Sequence, residues 1–146
     1  MTGKQSRQSA KVGGTLPLPV NGMVHLRSAR SASATLDRLE EMARVRGTKV
    51  FARLDQAREA AAVGLALRPT QLLLFGNPKA GTLLMQASTS VALDLPLRAL
   101  AWEDDGGQSW VTYDDPAYLG ERHGLSPELL RGIEGIHALV GATIAP

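Results

Sequence analysis

The chain has 146 residues, 44% of them hydrophobic, which suits one domain with one core. Cysteine is absent, and this excludes disulfides, cysteine-ligated zinc, iron–sulfur clusters and a thiol nucleophile. The net charge of +2 splits unevenly: residues 1–30 hold Lys4, Arg7, Lys11, Arg27 and Arg30 with no acid, while residues 31–146 hold 11 basic and 14 acidic side chains, a balance of −3.

Residues 1–22 are rich in Gly, Ser, Gln, Thr and Pro and lack an apolar period, so a flexible basic tail is expected there, with 23–146 as a single domain. The tail has no apolar segment of the kind a secretory signal needs. The longest stretch without strongly polar side chains, about Ala60 to Leu67, is far short of the roughly 20 residues of a membrane span, and a cytoplasmic location is the expectation.

Met23–Ala29 alternates as a strand, with Val24 and Leu26 on one face and His25 and Arg27 on the other. Ser31 or Ser33 can cap the helix that follows. Leu36, Leu39, Met42 and Ala43 recur at helical spacing, and Gly47 suits the position after its end. Lys49–Leu54 reads as a second strand, with Val50, Ala52 and Leu54 facing one way and Lys49, Phe51 and Arg53 the other. Asp55 caps a short alanine-rich helix that stops at Gly64.

Arg68-Pro69 breaks the chain, and the apolar run within Gln71–Phe75 predicts a central strand covered on both faces. Pro78 opens another helix, and Asp94-Leu95-Pro96 is a turn. Leu97–Glu103 and Gln108–Asp114 flank Asp104-Asp105-Gly106-Gly107, a hairpin signal. A turn centred on Asp105-Gly106 sets Trp102 opposite Ser109 and Leu100 opposite Val111. Leu100, Trp102, Val111 and Tyr113 would then face the helices, and Trp110, Thr112, Ala101 and Glu103 the other side. Asp115-Pro116 and Ser126-Pro127 each start a helix, the last one carrying Leu129, Leu130, Ile133, Ile136 and Val140 on one stripe. A hairpin demands antiparallel pairing. The expected fold is therefore α+β, a two-layer sandwich of a mostly antiparallel sheet with helices packed on one face.

Few segments promise chemistry. At Phe75-Gly76-Asn77-Pro78-Lys79-Ala80-Gly81-Thr82 a strand runs into a helix start with a lysine in its first turn, a place where backbone N–H groups can hold an anion. It is not a phosphate-binding Walker loop, because Thr82 stands where the lysine belongs. Asp94, Asp115, Tyr118 and His123 are further polar candidates for that pocket. His25, His123 and His137 have no metal-ligand spacing, so neither a metal nor a cofactor is expected. His137 lies at the edge of an apolar stripe, as a packed structural histidine would. No Gly-x-Ser-x-Gly elbow is present.

The same Phe75–Thr82 run, with Leu93-Asp94-Leu95-Pro96-Leu97, Trp110 to Tyr113, Asp115-Pro116, Tyr118-Leu119 and Arg122-His123-Gly124-Leu125, closely resembles the domain-of-unknown-function family DUF302 over about Val24 to Leu125. The resemblance implies a small α+β domain able to associate as a homodimer, and no established reaction. Many relatives carry a histidine after the aspartate matching Asp55; this chain has Gln56.

The leading expectation is a homodimeric domain binding a small anionic ligand near Asn77, Lys79, Gly81 and Thr82. The alternatives are an enzyme acting on a small acidic substrate in the same pocket, and a weak nucleic-acid binder using the tail. The last is disfavoured by the net-negative body. The second sheet face, with His25, Arg27, Lys49, Phe51, Arg53 and Trp110, is the expected dimer contact, since Phe51 and Trp110 are costly to leave in water.

Overall fold

The computed structural model describes residues 21–146. The elements are β1 (Met23–Ser28), α1 (Ala32–Val45), β2 (Lys49–Asp55), α2 (Gln56–Ala62), β3 (Thr70–Gly76), α3 (Pro78–Ala87), a 3-10 turn (Thr89–Asp94), β4 (Leu97–Glu103), β5 (Ser109–Asp114), α4 (Pro116–His123), α5 (Pro127–Leu130) and α6 (Gly135–Ile144). The five strands form one sheet in the order β1-β5-β4-β3-β2, and every neighbouring pair is antiparallel. The fold is α+β.

Side-chain caps begin most helices. Ser31 accepts from the Ala34 N–H, Asp55 from Arg58, Asn77 from Lys79 and Ala80, Asp115 from Ala117 and Ser126 from Leu129. Helix α1 buries Leu36, Leu39 and Ala43 against Leu73, Ala99, Ala101 and Val111 of the sheet. Full burial of one such leucine contributes about 2 kcal/mol. Helix α6 adds Ile136, Leu139 and Val140 to the same core.

The expected tail, residues 1–22, lies outside the described residues except for its end. Asn21 and Gly22 form a turn, and the Gly22 carbonyl accepts from the Asp115 N–H at 2.8 Å. Gly22 has φ +79°, and a Cβ there would run into Tyr118. This turn joins the start of β1 to the start of α4.

Four details differ from the sequence-based expectation. The hairpin pairs Trp102 with Trp110 and Ala101 with Val111, one residue away from the expected register. Its loop is Asp105-Gly106-Gly107, with Gly107 in the left-handed region at φ +85°. The Asp104 N–H donates to the Gln108 carbonyl, so the loop has three residues rather than two. On β4 the faces are consequently exchanged: Ala99 and Ala101 face the helices, and Leu100 and Trp102 the open side. On β5, Val111 and Tyr113 face the helices and Trp110 does not, as expected.

Strand β2 carries a bulge between Val50 and Ala52. The extra residue reverses the alternation. Val50 pairs with Phe75, and Arg53 pairs with Leu73, so both sit on the helix side. Arg53 there binds Asp37 at 2.7 Å and the Ser33 carbonyl at 3.1 Å, fastening α1 to the sheet.

Strand β3 is covered on one face only: Leu73 and Phe75 are buried, while Leu72 and Leu74 are half-buried. A continuous apolar run cannot distinguish these cases. Finally, the last helix breaks into α5 and α6 around Gly132, where a Cβ would stand 3.1 Å from the Ala80 Cβ of α3.

Candidate functional site

The residues singled out in the sequence fall in four places. At the first, β3 leaves the sheet through Gly76, Asn77 caps α3, and Pro78 takes the first helical position. This junction borders a cavity of about 450 Å³, within the roughly 300–1,000 Å³ range of small-molecule sites. Asn77, Gly81 and Thr82 line it.

The rest of the cavity was not legible beforehand. Its floor is Phe75 and Leu97 from the sheet, its walls are Met85, Leu95 and Pro96 on one side and Ile133, Ile136 and Leu139 on the other, and Phe51 closes one edge. The bulge is what places Phe51 there. Arg46 and Thr48, from the turn before β2, add polar groups. Gly132 and Gly135 also line it, so the break between α5 and α6 helps shape the space.

Lys79 is exposed and is not one of the lining residues. The N–H groups that would hold an anion are already used. Lys79 N–H and Ala80 N–H donate to Asn77 Oδ1 at 2.9 and 3.3 Å, and Gly81 N–H donates to the Asn77 carbonyl at 2.9 Å. Capping thus takes up the donors at this helix start, and Lys79 stands outside the cavity lining.

The second place is built around Asp94, which is 6% exposed at the end of the 3-10 turn. His123 Nε2 lies 2.6 Å from Asp94 Oδ2. Arg122 donates to both carboxylate oxygens, at 3.3 and 3.1 Å, and Arg98 donates to Oδ1 at 3.3 Å. The other ring nitrogen of His123, Nδ1, is 2.7 Å from Ser90 Oγ. Asp94 and His123 thus come together, away from Lys79. Ser90, Arg98 and Arg122 were missed, since no sequence spacing joins a 3-10 turn to a helix end about thirty residues later.

The third place holds Asp115. Its carboxylate caps α4 and lies 3.5 Å from His137 Nε2, while His137 Nδ1 is 2.7 Å from the Tyr113 hydroxyl. Burial, then the negative charge of Asp115, pushes the Tyr113 hydroxyl up to about 12. The His137 ring packs edge-on against Tyr113, 5.5 Å between centroids, and is exposed on its outer side. Tyr118 packs on Gly22.

The open sheet face carries His25, Arg27 and Trp110 as expected. Arg27 lies over the Trp110 ring at 5.5 Å, and Trp102 stacks on Trp110 at 6.2 Å. Thr112 accepts from Trp102 Nε1 at 2.8 Å and is bonded to His25 Nδ1 at 2.7 Å; burial pushes His25 down from the ordinary imidazole range. Phe51 and Arg53 are not on this face. Lys49 is drawn toward Phe51, its ammonium 5.0 Å from that ring. The bulge is again the cause.

A crystal structure of an uncharacterized conserved DUF302 protein from Bacillus stearothermophilus shares this fold, with a TM-score of 0.69 at 18% identity over 84% of this chain and 95% of that one. Two curated relatives are the fluoride-specific ion channel FluC 1 of Brucella suis biovar 1 (strain 1330) and FluC 2 of Brucella melitensis biotype 1 (strain ATCC 23456 / CCUG 17765 / NCTC 10094 / 16M). Each is 47% identical over 105 residues, or 72% of this chain. The chain spans 41% and 39% of their respective lengths. Among the described residues no helix is long and apolar enough to cross a membrane. The family model described as domain of unknown function DUF302 matches residues 24–140, and the chain belongs to that family.

Proposed function

We propose that this protein is a small-ligand-binding domain whose ligand occupies the cavity between β3, α3 and α6. The observation that carries this is the cavity's lining: a half-open, mostly apolar cleft with Arg46, Thr48, Asn77 and Thr82 as its few polar groups. Such a site suits an apolar molecule with one polar or acidic end, held by hydrophobic burial and oriented by those groups. Octanoate and octanol are suitable probes. Either is expected to raise the unfolding temperature, with octanoate the better if Arg46 meets the carboxylate. A ligand present at about 100 times its Kd adds about 2.7 kcal/mol to stability.

Gly81→Leu is the matching variant. A Cβ at Gly81 would meet Leu95 Cδ1 at 3.8 Å and Met85 Cε at 4.0 Å, ordinary contacts inside the cavity. The longer side chain fills the space, while replacing a mid-helix glycine favours the unliganded fold by about 0.5–1 kcal/mol. Loss of the probe's thermal shift in a variant at least as stable as wild type is the expected result. A shift retained at full size would sink the cavity reading.

The Brucella relatives favour a second reading, in which the domain serves a fluoride channel as a sensing module. The same thermal-shift experiment addresses it: stabilisation by sodium fluoride and not by sodium chloride would support it.

We also propose that the open sheet face pairs with a second copy of the chain. Leu72, Leu74, Leu100 and Trp102 lie there half-buried, beside Leu54 at 44% exposure, outside the core formed with the helices. Light scattering at high micromolar concentration is expected to give a dimer that Trp102→Glu weakens at least about tenfold, since buried aromatic anchors dominate such contacts. A monomeric wild type would rule this out.

A further inference from the structure

Ser90, His123 and Asp94 form a continuous hydrogen-bonded chain from surface to interior. Ser90 is exposed; the His123 side chain is 4% exposed and Asp94 is 6% exposed. Ser90 Oγ lies 2.7 Å from His123 Nδ1, and His123 Nε2 lies 2.6 Å from Asp94 Oδ2. The three groups come from two elements, the 3-10 turn and the end of α4.

Ser90 Oγ also lies 3.3 Å from Ser88 Oγ, and for a neutral His123 the donors and acceptors around Asp94 give this chain a direction. An ionised carboxylate only accepts, and the guanidinium groups of Arg122 and Arg98 that reach Asp94 only donate. The proton between His123 and Asp94 therefore belongs to His123 Nε2. In the neutral imidazole, Nδ1 then has a free lone pair, and the Ser90 hydroxyl is its donor. An exposed hydroxyl directed at a base, with the base oriented by a buried acid, is the arrangement that activates a serine for nucleophilic attack. A purely structural tie between the turn and α4 is already supplied by Asp94 with Arg122 and His123, and it leaves the Ser90 contact unused.

We infer that Ser90 is a nucleophile for acyl transfer from small carboxylic esters, with His123 as general base and Asp94 as the group that orients it. Around the site Arg98 and Arg122 are offset by Asp94 and Asp114, so a neutral acyl group suits it better than a charged one. Ser90 Oγ bonds to the ester carbonyl carbon as its proton passes to His123 Nδ1. The bond from that carbon to the alcohol oxygen breaks, and the leaving alcohol takes the proton. Water then attacks the acyl-serine, gives a proton to Nδ1, and the carboxylic acid departs as Ser90 recovers its hydrogen. Ser90 does not line the apolar cavity, so this inference stands apart from the ligand-binding proposal.

An alkyl fluorophosphonate, which forms a stable bond with activated serines, tests it on the full chain with mass spectrometry as the readout. The expected result is a single adduct on Ser90, absent in Ser90→Ala. His123→Gln should slow labelling by about 100-fold or more. The His123 side chain is buried, so circular dichroism must show the variant folded; the site of labelling in the wild type needs no variant. An unmodified Ser90, labelling spread evenly over several serines, or a folded His123→Gln that reacts at the wild-type rate would each overturn the inference.

Discussion

Asp104→Ala is expected to lower stability by about 3 kcal/mol, because it removes three hydrogen bonds to one buried carboxylate. Asp104 is 8% exposed. Its Oδ1 accepts from the Gly106 and Gln108 N–H groups, each at 2.9 Å, and its Oδ2 accepts from Trp110 Nε1 at 2.9 Å. The two backbone bonds hold the hairpin loop, and the third satisfies the indole of a residue that is 1% exposed. Alanine leaves that indole N–H buried without a partner, which is the larger part of the cost. Asp104→Asn keeps one acceptor and should lose about half as much. Urea unfolding checks both, as a lower midpoint at unchanged slope.

The same carboxylate carries a pH signature. Burial pushes Asp104 up, but the bonds from Trp110, Gln108 and Gly106 outweigh it and hold the group below its ordinary 3.8. A depressed folded-state pKa gives stability that is present above the unfolded value and is lost as pH falls through the folded one. The wild type should therefore lose part of its advantage over Asp104→Ala only below about pH 4.

Alkali should act through Tyr113, with an effect of about 2–3 kcal/mol. Its hydroxyl titrates near 12 in the fold against an ordinary 10.0. A raised folded-state pKa gives stability that is complete below the unfolded value and is lost as pH rises toward the folded one. The window is thus about pH 10 to about pH 12. Tyr113→Phe cannot ionise, but it forfeits the bond to His137. The variant should be about 1 kcal/mol less stable than wild type near neutrality, and the gap should close or reverse above about pH 11. Denaturant unfolding at the two pH values measures this. A gap that stays constant would show that Tyr113 ionises without cost in the fold.

The two largest differences between sequence and structure have one origin. Side chains alternate along a strand with period 2, so a single inserted residue exchanges the faces of everything beyond it. One such residue sits in the hairpin loop, where Gly107 adopts its left-handed conformation, and one at Phe51 in β2. The first moved Leu100 and Trp102 to the open face. The second carried Phe51 into the cavity wall and Arg53 onto α1. Neither insertion has a marker in local composition, because Asp-Asp-Gly-Gly suits loops of two or three residues equally.

What the sequence determined by itself is what neighbours along the chain decide. Ser31, Asp55, Asn77, Asp115 and Ser126 each cap the helix they precede, because a short polar side chain reaches N–H groups only two or three residues ahead. The apolar spacing of Leu36, Leu39 and Ala43 likewise determined a buried helix face, and the hairpin determined an antiparallel sheet. The tertiary structure alone decided that Phe51, Met85, Leu95 and Ile136 enclose one cavity and that Ser90 meets His123. Those contacts join residues far apart in sequence, and their geometry depends on strand register and helix packing, which no local pattern encodes.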